Sequence, residues 1–219
     1  MRRILIIAGA LALVTVPALA APKPPKPPKG TTALTIDAKP NPVVFSSPVA
    51  LTGRLSGGSA GNVGVKLQKD ESRPYGDSYQ DTSVTGTTKS NGSYAFSVKP
   101  GLNTQYRVVA ANSPPVTSPG RLVLVRPRVG LKVATSGGKV RFSGSVYPAL
   151  DGRSVLVQRR SPSGRFITVA KTTLKDAGTV RSSYSKLVTV TRDGVYRTKV
   201  PGDTKHVNGF SAARSVSAP

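Results

Sequence analysis

The sequence predicts an all-β protein built from two tandem β-sandwiches. Apolar and polar residues alternate along many short runs, which is the period of two expected when one face of a strand is buried and the other faces water. Glycine supplies 22 and proline 19 of the 219 residues, and turn signals such as Gly57-Gly58 and Asp193-Gly194 separate the runs. No segment after residue 20 has a sustained helical period.

The first twenty residues predict a cleaved signal peptide. Met1-Arg2-Arg3 is positively charged, Ile4 to Val14 is an apolar run, and Ala18-Leu19-Ala20 is the small-x-small pattern that signal peptidase recognises. We expect cleavage after Ala20, a bacterial protein that is extracellular or held at the cell surface, and no membrane span in the mature chain. An uncleaved N-terminal anchor is the alternative, although the apolar run is short for a bilayer.

Residues 21–30, which read APKPPKPPKG, predict a linker rich in proline and lysine. Such a composition favours an extended polyproline II spacer at about 3.1 Å per residue. The linker either holds the folded part away from a surface or contacts an anionic polymer through its three lysines.

The rest of the chain reads as two copies of one design. Three patches recur at a spacing of 90 or 91 residues: Val49 to Gly53 with Val140 to Gly144, Val65 to Gln68 with Val155 to Gln158, and Tyr106-Arg107 with Tyr196-Arg197. A nearly constant spacing across separate patches indicates duplication. We therefore predict one domain over residues 31–127 and a second over residues 128–219.

About seven short strands in about 90 residues, without a helical crossover, are typical of an immunoglobulin-like Greek-key sandwich. Asp193-Gly-Val-Tyr-Arg197 resembles the start of strand F in immunoglobulin-like domains, where Tyr196 would be the corner tyrosine and Tyr106 its counterpart. Thr88 to Phe96 resembles a hairpin of bacterial immunoglobulin-like domains, and Val155 to Arg159 resembles tandem domains of exported actinobacterial proteins. The absence of Cys and Trp departs from the antibody pattern, so aliphatic, Phe and Tyr packing must hold both cores.

Composition argues against catalysis. Without Cys the chain has no thiolate nucleophile, disulfide or zinc finger, and His206 is the only histidine. Glu71 is the only glutamate, and no Gly-x-Ser-x-Gly elbow occurs. We predict a protein that is not an enzyme and needs no cofactor. A hydrolase is the remote alternative, and it would require a pocket that gathers Asp70, Glu71 or His206 with a Ser or Lys.

One segment departs from the basic character of the chain. Residues 70–81 hold four carboxylates that could bind Ca²⁺ through hard oxygen ligands, Asp70, Glu71, Asp77 and Asp81. Their spacing differs from an EF-hand loop and Arg73 lies among them, so a solvated loop is the preferred interpretation. Tyr75 and Tyr79 either stack on sugar rings or cover a sheet edge.

The excess of positive charge lies mainly in the second predicted domain. The chain has 32 Lys and Arg against 9 Asp and Glu; residues 31–127 carry 10 basic and 5 acidic groups, whereas residues 128–219 carry 17 and 4. Such an excess indicates anionic partners, or else only a solvated face. The predicted contacts with a polyanion are Arg141, Arg153, Arg159, Arg160, Arg165, Lys171 and Arg181.

These observations predict a non-catalytic binding or spacer protein, monomeric, that contacts an anionic cell-wall polymer or polysaccharide through its second domain. A structural accessory domain that pairs with another exported protein is the alternative. We expect no specific nucleic-acid partner, because the sequence shows neither aromatic residues interleaved with the basic ones nor an RNA-binding motif.

Overall fold

A computed structural model describes residues 32–219 of the protein. The predicted signal peptide and linker, residues 1–20 and 21–30, lie outside the described residues. Residues 32–219 consist of strands, turns and loops without a helix, and the strands form several sheets that are almost entirely antiparallel. The prediction of an all-β fold is confirmed.

Within residues 32–127, which we call the first half, eleven strands are present. They are β1 (Ala33–Leu34), β2 (Asp37–Lys39), β3 (Val43–Val44), β4 (Val49–Ser56), β5 (Gly64–Asp70), β6 (Gln80–Thr87), β7 (Ser93–Val98), β8 (Thr104–Ala110), β9 (Val116–Thr117), β10 (Arg121–Val123) and β11 (Val125–Arg126). In one sheet, β4 pairs with β1, β2 and β7. A second sheet has the order β10-β8-β5-β6, with β9 also on β8, and β3 and β11 form a short parallel pair.

The second half, residues 128–219, contains ten strands. They are β12 (Arg128–Val129), β13 (Lys132–Ser136), β14 (Lys139–Tyr147), β15 (Ser154–Arg160), β16 (Phe166–Thr173), β17 (Lys175–Asp176), β18 (Ser182–Val188), β19 (Gly194–Val200), β20 (Gly209–Phe210) and β21 (Arg214–Val216). One sheet has the order β12-β14-β18-β17 with β13 also on β14. The other has the order β16-β15-β19-β20 with β21 also on β19.

Each half buries its own apolar residues, but the two cores differ. The first half has a single cluster of 15 buried residues, drawn from both of its sheets and including Leu51 and Leu67. The second half has two clusters of six, one around Val146 and one around Phe142. Buried Thr198 occupies the position of Val108 in the first half and shares a hydrogen bond of 2.9 Å with the Tyr184 hydroxyl. The Thr198 hydroxyl thus lies where the first half has the apolar side chain of Val108.

The first strand of each half is interrupted in the same way. β1 and β2 pair with successive parts of β4, as β12 and β13 do with β14. At each interruption a tyrosine hydroxyl donates to the exposed carbonyl oxygen, Tyr94 to Thr35 and Tyr184 to Gly130. The strand opposite carries a glycine there, because a Cβ at Gly53 or Gly144 would overlap that carbonyl.

The predicted duplication also extends to side-chain hydrogen bonds. Arg107 Nε donates to Gln68 Oε1 at 2.6 Å, and Arg197 Nε donates to Gln158 Oε1 at 3.0 Å. The pairing of β5 with β6 and that of β15 with β16 both shift register next to this glutamine. The two halves therefore share local irregularities as well as strand order.

A small set of backbone contacts joins the halves. Asn103 N donates to Lys205 O at 2.7 Å, and Val207 N donates to Val125 O at 2.9 Å. Between them, His206 is only 6% exposed, and its Nε2 lies 3.0 Å from the Gly101 carbonyl oxygen. Because a carbonyl oxygen only accepts, Nε2 is the donor in this contact.

Candidate polyanion-binding surface

The sheet that contains β15, β16 and β19 presents one face to the core and the other to solvent. In β19 the side chains of Tyr196, Thr198 and Val200 are buried, so Arg197 and Lys199 lie on the opposite face. The pairing register places Gln158 beside Arg197 and Lys171 beside Leu156. We call this solvent-facing surface of the second half, formed by Arg160, Phe166, Lys171, Arg197, Lys199 and Phe210, the outer face.

Arg197 lies at the centre of the outer face and is held by three neighbours. Its guanidinium carbon lies 3.8 Å from the ring centroid of Phe166 and 4.2 Å from that of Phe210, distances typical of cation–π contacts. Its Nε donates to Gln158. Burial by these neighbours lowers the pKa of Arg197 from its usual value, although arginine stays charged at neutral pH. The guanidinium is thus a fixed positive charge whose terminal nitrogens form no hydrogen bond within residues 32–219.

The expectation that aromatic residues are absent from the basic surface needs correction. Phe166 and Phe210 are far apart in the sequence, and the sheet brings them to the two sides of Arg197. Phe210 is 37% exposed and also lies 5.9 Å from Lys199 Nζ. Both rings are already stacked on Arg197, so they differ from the open aromatic platforms on which single-stranded bases stack.

The cations of the outer face lack carboxylate partners in the part of the chain that the structure describes. Arg160, Lys171 and Lys199 form no ion pair there, and of the four aspartates in this half only Asp203 joins an ion pair. Asp151 accepts from the Ser182 hydroxyl instead, at 2.5 Å. The positive potential of the outer face is therefore not neutralised by neighbouring side chains.

The structure divides the seven basic residues predicted from the sequence. Arg160, Arg165 and Lys171 lie together on the hairpin formed by β15 and β16. Arg159 lies beside Tyr196 at the rim of the core, on the other face of the same strand. Arg141 is exposed on the opposite sheet, where it donates to Ser185 Oγ at 3.2 Å.

The other two predicted residues have local partners. Arg153 forms an ion pair of 2.7 Å with Asp203 and donates to the carbonyl oxygens of Pro201 and Gly202, so it anchors a loop. Arg181 lies in an exposed turn and donates to the Ala177 carbonyl oxygen. The seven residues thus do not share one face.

The corresponding surface of the first half has a different charge balance. The guanidinium carbon of Arg107 lies 3.9 Å from the ring centroid of Tyr79, and its Nε donates to Gln68. These contacts correspond to those of Arg197 with an aromatic ring and a glutamine. Lys66, however, pairs with Asp81 at 2.9 Å, and the position of Arg160 is taken by Asp70. Carboxylates thus offset the cations in the first half but not in the second.

The acidic loop is organised around one buried carboxylate. Asp70 is 1% exposed and accepts from the backbone N–H groups of Ser72, Gly76 and Ser78. Burial opposes its ionisation, but these backbone donors together lower the pKa of Asp70 below its usual value. The carboxylate therefore fixes the loop over the strand end.

The other carboxylates predicted as metal ligands have separate partners. Glu71 pairs with Lys69 at 2.9 Å, Asp77 accepts from Ser78, and Asp81 pairs with Lys66. Within residues 32–219, no group of three or more His, Cys, Asp or Glu side chains is placed to hold a metal ion.

His206, the remaining candidate for chemistry, lies at the contact between the halves. Its Nδ1 lies 3.3 Å from Asp203 Oδ1, and Asp203 is in turn bound by Arg153. Asp70 and Glu71 are at the end of β5, in the acidic loop, and do not join this cluster. The arrangement holds two loops together and brings no serine hydroxyl to the imidazole.

No protein-family model matches the chain, and no curated protein sequence matches it. In residues 32–219 no helix is long and apolar enough to cross a membrane.

Proposed function

We propose that this protein is a non-catalytic, exported binding or spacer protein that contacts an anionic polymer of the cell envelope through the outer face. Export is inferred from the predicted signal peptide and linker. A polymer rich in carboxylate, sulfate or phosphate is the kind of partner that a rigid sheet of unneutralised cations attracts outside the cell. The proposed location is the cell surface or the surrounding medium.

We also propose that each half is an immunoglobulin-like sandwich. The support is topological: in the second half β14 pairs with β12 and β13 on one side and with β18 on the other, and β17 pairs with β18. The other sheet has the order β16-β15-β19-β20. With β16 taken as the additional C′ strand, the two sheets have the orders A-B-E-D and C′-C-F-G, as in immunoglobulin domains. The Tyr196 hydroxyl also donates to the Arg192 carbonyl oxygen at 3.2 Å, the kind of contact that a corner tyrosine makes. Such sandwiches commonly serve as spacers and binding modules.

The polymer proposal rests on the difference in charge between the outer face of the second half and the corresponding surface of the first half. Both halves hold an arginine with a glutamine and an aromatic ring at corresponding positions. Only the second half surrounds that arginine with further unpaired cations. A scaffold that needed the arginine solely for stability would not require Arg160, Lys171 and Lys199 around it.

The test is retention of the chain from residue 21 onward on immobilised heparin and on immobilised polygalacturonate, eluted with NaCl. One variant carries Arg160→Glu, Lys171→Glu and Lys199→Glu. A matched variant carries the same change in net charge on the first half, Arg73→Glu, Lys89→Glu and Arg126→Glu. All six side chains lack ion pairs within the described residues.

We expect the unaltered chain to bind at low salt and to elute as salt screens the contacts. The outer-face variant should elute at clearly lower NaCl than the matched variant. Equal shifts in both variants, no retention at low salt, or retention that salt does not change would each contradict the proposal.

One observation favours a second function, pairing with another exported protein. Strand β16 is paired on one side with β15 and has no partner on its other side within residues 32–219. It also exposes Ile167 (45%) and Val169 (41%), which an added strand would cover. If pairing through β16 is the main role, the variant with the three outer-face charge reversals will still bind the partner protein. The Ile167→Lys, Val169→Lys variant will not bind it.

A further inference from the structure

A groove opens on the sheet opposite to the outer face, where the first strand of the second half is interrupted. The gap between β12 and β13, at Gly130 and Leu131, leaves part of β14 uncovered. Gly144 and the largely buried Tyr184 also line the groove. The groove has a volume of about 560 Å³, which is within the range of sites for small ligands.

The lining of this groove is cationic and hydroxylic. Arg128 lies 4.4 Å from the ring centroid of Tyr147, so the ring holds the guanidinium flat at one end. Lys132 lies on the same wall, and Ser143 and Ser145 come from β14. No carboxylate lines the groove.

Apart from Tyr184, whose hydroxyl donates to the Gly130 carbonyl oxygen, the polar side chains of the groove form no hydrogen bond or ion pair within residues 32–219. Within residues 32–219, Arg128 and Lys132 form no ion pair, and the hydroxyls of Ser143 and Ser145 form no hydrogen bond. Two positive charges and two hydroxyls thus face the same space without protein partners. Such groups are the ones that a ligand can engage without displacing internal contacts.

The equivalent groove of the first half is different. By strand register Asp37 takes the place of Lys132, and it is held in an ion pair of 2.9 Å with Arg121. Arg54, which takes the place of Ser145, donates to the Asn91 carbonyl oxygen at 2.9 Å. The first half therefore keeps a groove of about 480 Å³ at this place, but Asp37 and Arg54 there have internal partners, whereas the cations of the second groove have none within residues 32–219.

We propose that the groove of the second half binds one small anionic sugar or polyol unit. A phosphate or carboxylate group lies between Arg128 and Lys132, and ligand hydroxyls hydrogen-bond to Ser143 and Ser145. The apolar side of the unit packs near Tyr147. This site is separate from the outer face, so it does not depend on the function proposed above.

Titration of the ¹⁵N-labelled chain, followed by NMR, tests this proposal. The probes are glycerol 3-phosphate, glucuronate and, as the neutral control, glycerol. We expect saturable shifts confined to the amides of Gly130, Lys132, Ser143 and Ser145 with at least one anionic probe, and none with glycerol. Saturation by only one anion would identify phosphate or carboxylate as the recognised group.

Substitutions then separate the site from general charge attraction. The Arg128→Gln, Lys132→Gln variant should bind the anionic probe at least about tenfold more weakly, since both charge-assisted contacts are lost. The matched Lys139→Gln, Arg141→Gln variant, altered on the same sheet but outside the groove, should bind as the unaltered chain does. The charge-reversed outer-face variant should also keep the site.

Three results would overturn the proposal. They are the absence of saturable shifts with both anionic probes up to the order of 10 mM, shifts spread evenly over the basic surface, and equal affinity in the groove variant and its matched control. If the unaltered chain showed the groove titration but no retention on heparin, that result would count against the outer-face proposal alone.

Discussion

The two halves of this protein share a backbone plan and differ in what they do with charge. Both have the interrupted first strand, the tyrosine bonded across it and the arginine–glutamine contact on the solvent side of the second sheet. In the first half, the carboxylates Asp70 and Asp81 occupy neighbouring positions, whereas the second half has Arg160 and Thr168 there and carries unpaired lysines nearby. The two halves thus combine the same backbone plan with a different charge balance around it.

This difference separates residues that hold the fold from residues that are available to a partner. In the first half most charged side chains near the arginine have a partner in the protein. In the second half most have none among the described residues. Charged side chains with internal partners have a structural role, and the cluster of unpaired like charges is the surface that we propose contacts a polymer.

The largest expected effect tests whether the halves fold as independent units. Leu51 and Phe142 are fully buried at corresponding positions, each in the core of its own half. Leu51→Ala should cost about 2–5 and Phe142→Ala about 3–5 kcal/mol of unfolding free energy. Hydrogen exchange resolved by mass spectrometry should show lost protection only in the altered half. Loss spread equally over both halves would mean that they unfold as one unit.

An intermediate effect tests whether Asp70 and Arg160 have opposite roles at corresponding positions. Asp70→Ala leaves three backbone donors of the acidic loop without their buried acceptor, so thermal denaturation should show a loss of about 2–3 kcal/mol. Arg160→Ala removes an exposed side chain and should change stability by less than about 0.5 kcal/mol. If the two variants lost equal stability, the assignment of one residue to the fold and the other to a partner would fail.

A smaller effect concerns acid. Burial opposes ionisation of Asp203, but the backbone N–H groups of Lys205 and His206, followed by the charge of Arg153, hold the pKa of Asp203 below its usual value. A lowered pKa in the folded state stabilises the protein above the unfolded-state pKa, and this contribution is lost as the pH falls through the folded-state pKa.

Urea denaturation between pH 6 and pH 2 should therefore show falling stability at the acid end. The decline should be shallower in an Asp203→Asn variant, which is already weakened at pH 6. An identical pH dependence in both proteins would show that Asp203 does not contribute in this way.

Much of the fold follows from the sequence because alternation is local. The alternating runs correctly predicted strands such as β4, β5 and β14. β6 was harder to detect, because the edge strand Gln80–Thr87 buries little and shows no apolar alternation. The interruptions between β1 and β2 and between β12 and β13 depend on Gly53 and Gly144, which lie on the neighbouring strand.

The outer face could be predicted less well from the sequence, because it depends on strand pairings between distant segments. Phe166 and Phe210 meet only through Arg197, and Arg153 is bound to Asp203, fifty positions away. A signal for the centre of the outer face did exist: Tyr106-Arg107 recurs as Tyr196-Arg197, and the alternation that buries each tyrosine turns each arginine toward solvent. The absence of carboxylate partners becomes visible only when the register is known.

The most direct test of the central claim is the salt dependence of binding to a labelled heparin fragment, measured by fluorescence anisotropy at several NaCl concentrations. Each cation that engages the polymer contributes about one unit to the slope of log K against log salt. The Arg160→Gln, Lys171→Gln, Lys199→Gln variant should lose about two to three units, and the Arg73→Gln, Lys89→Gln, Arg126→Gln variant should keep the original slope. Equal slopes for the two variants would contradict the assignment of polymer binding to the outer face.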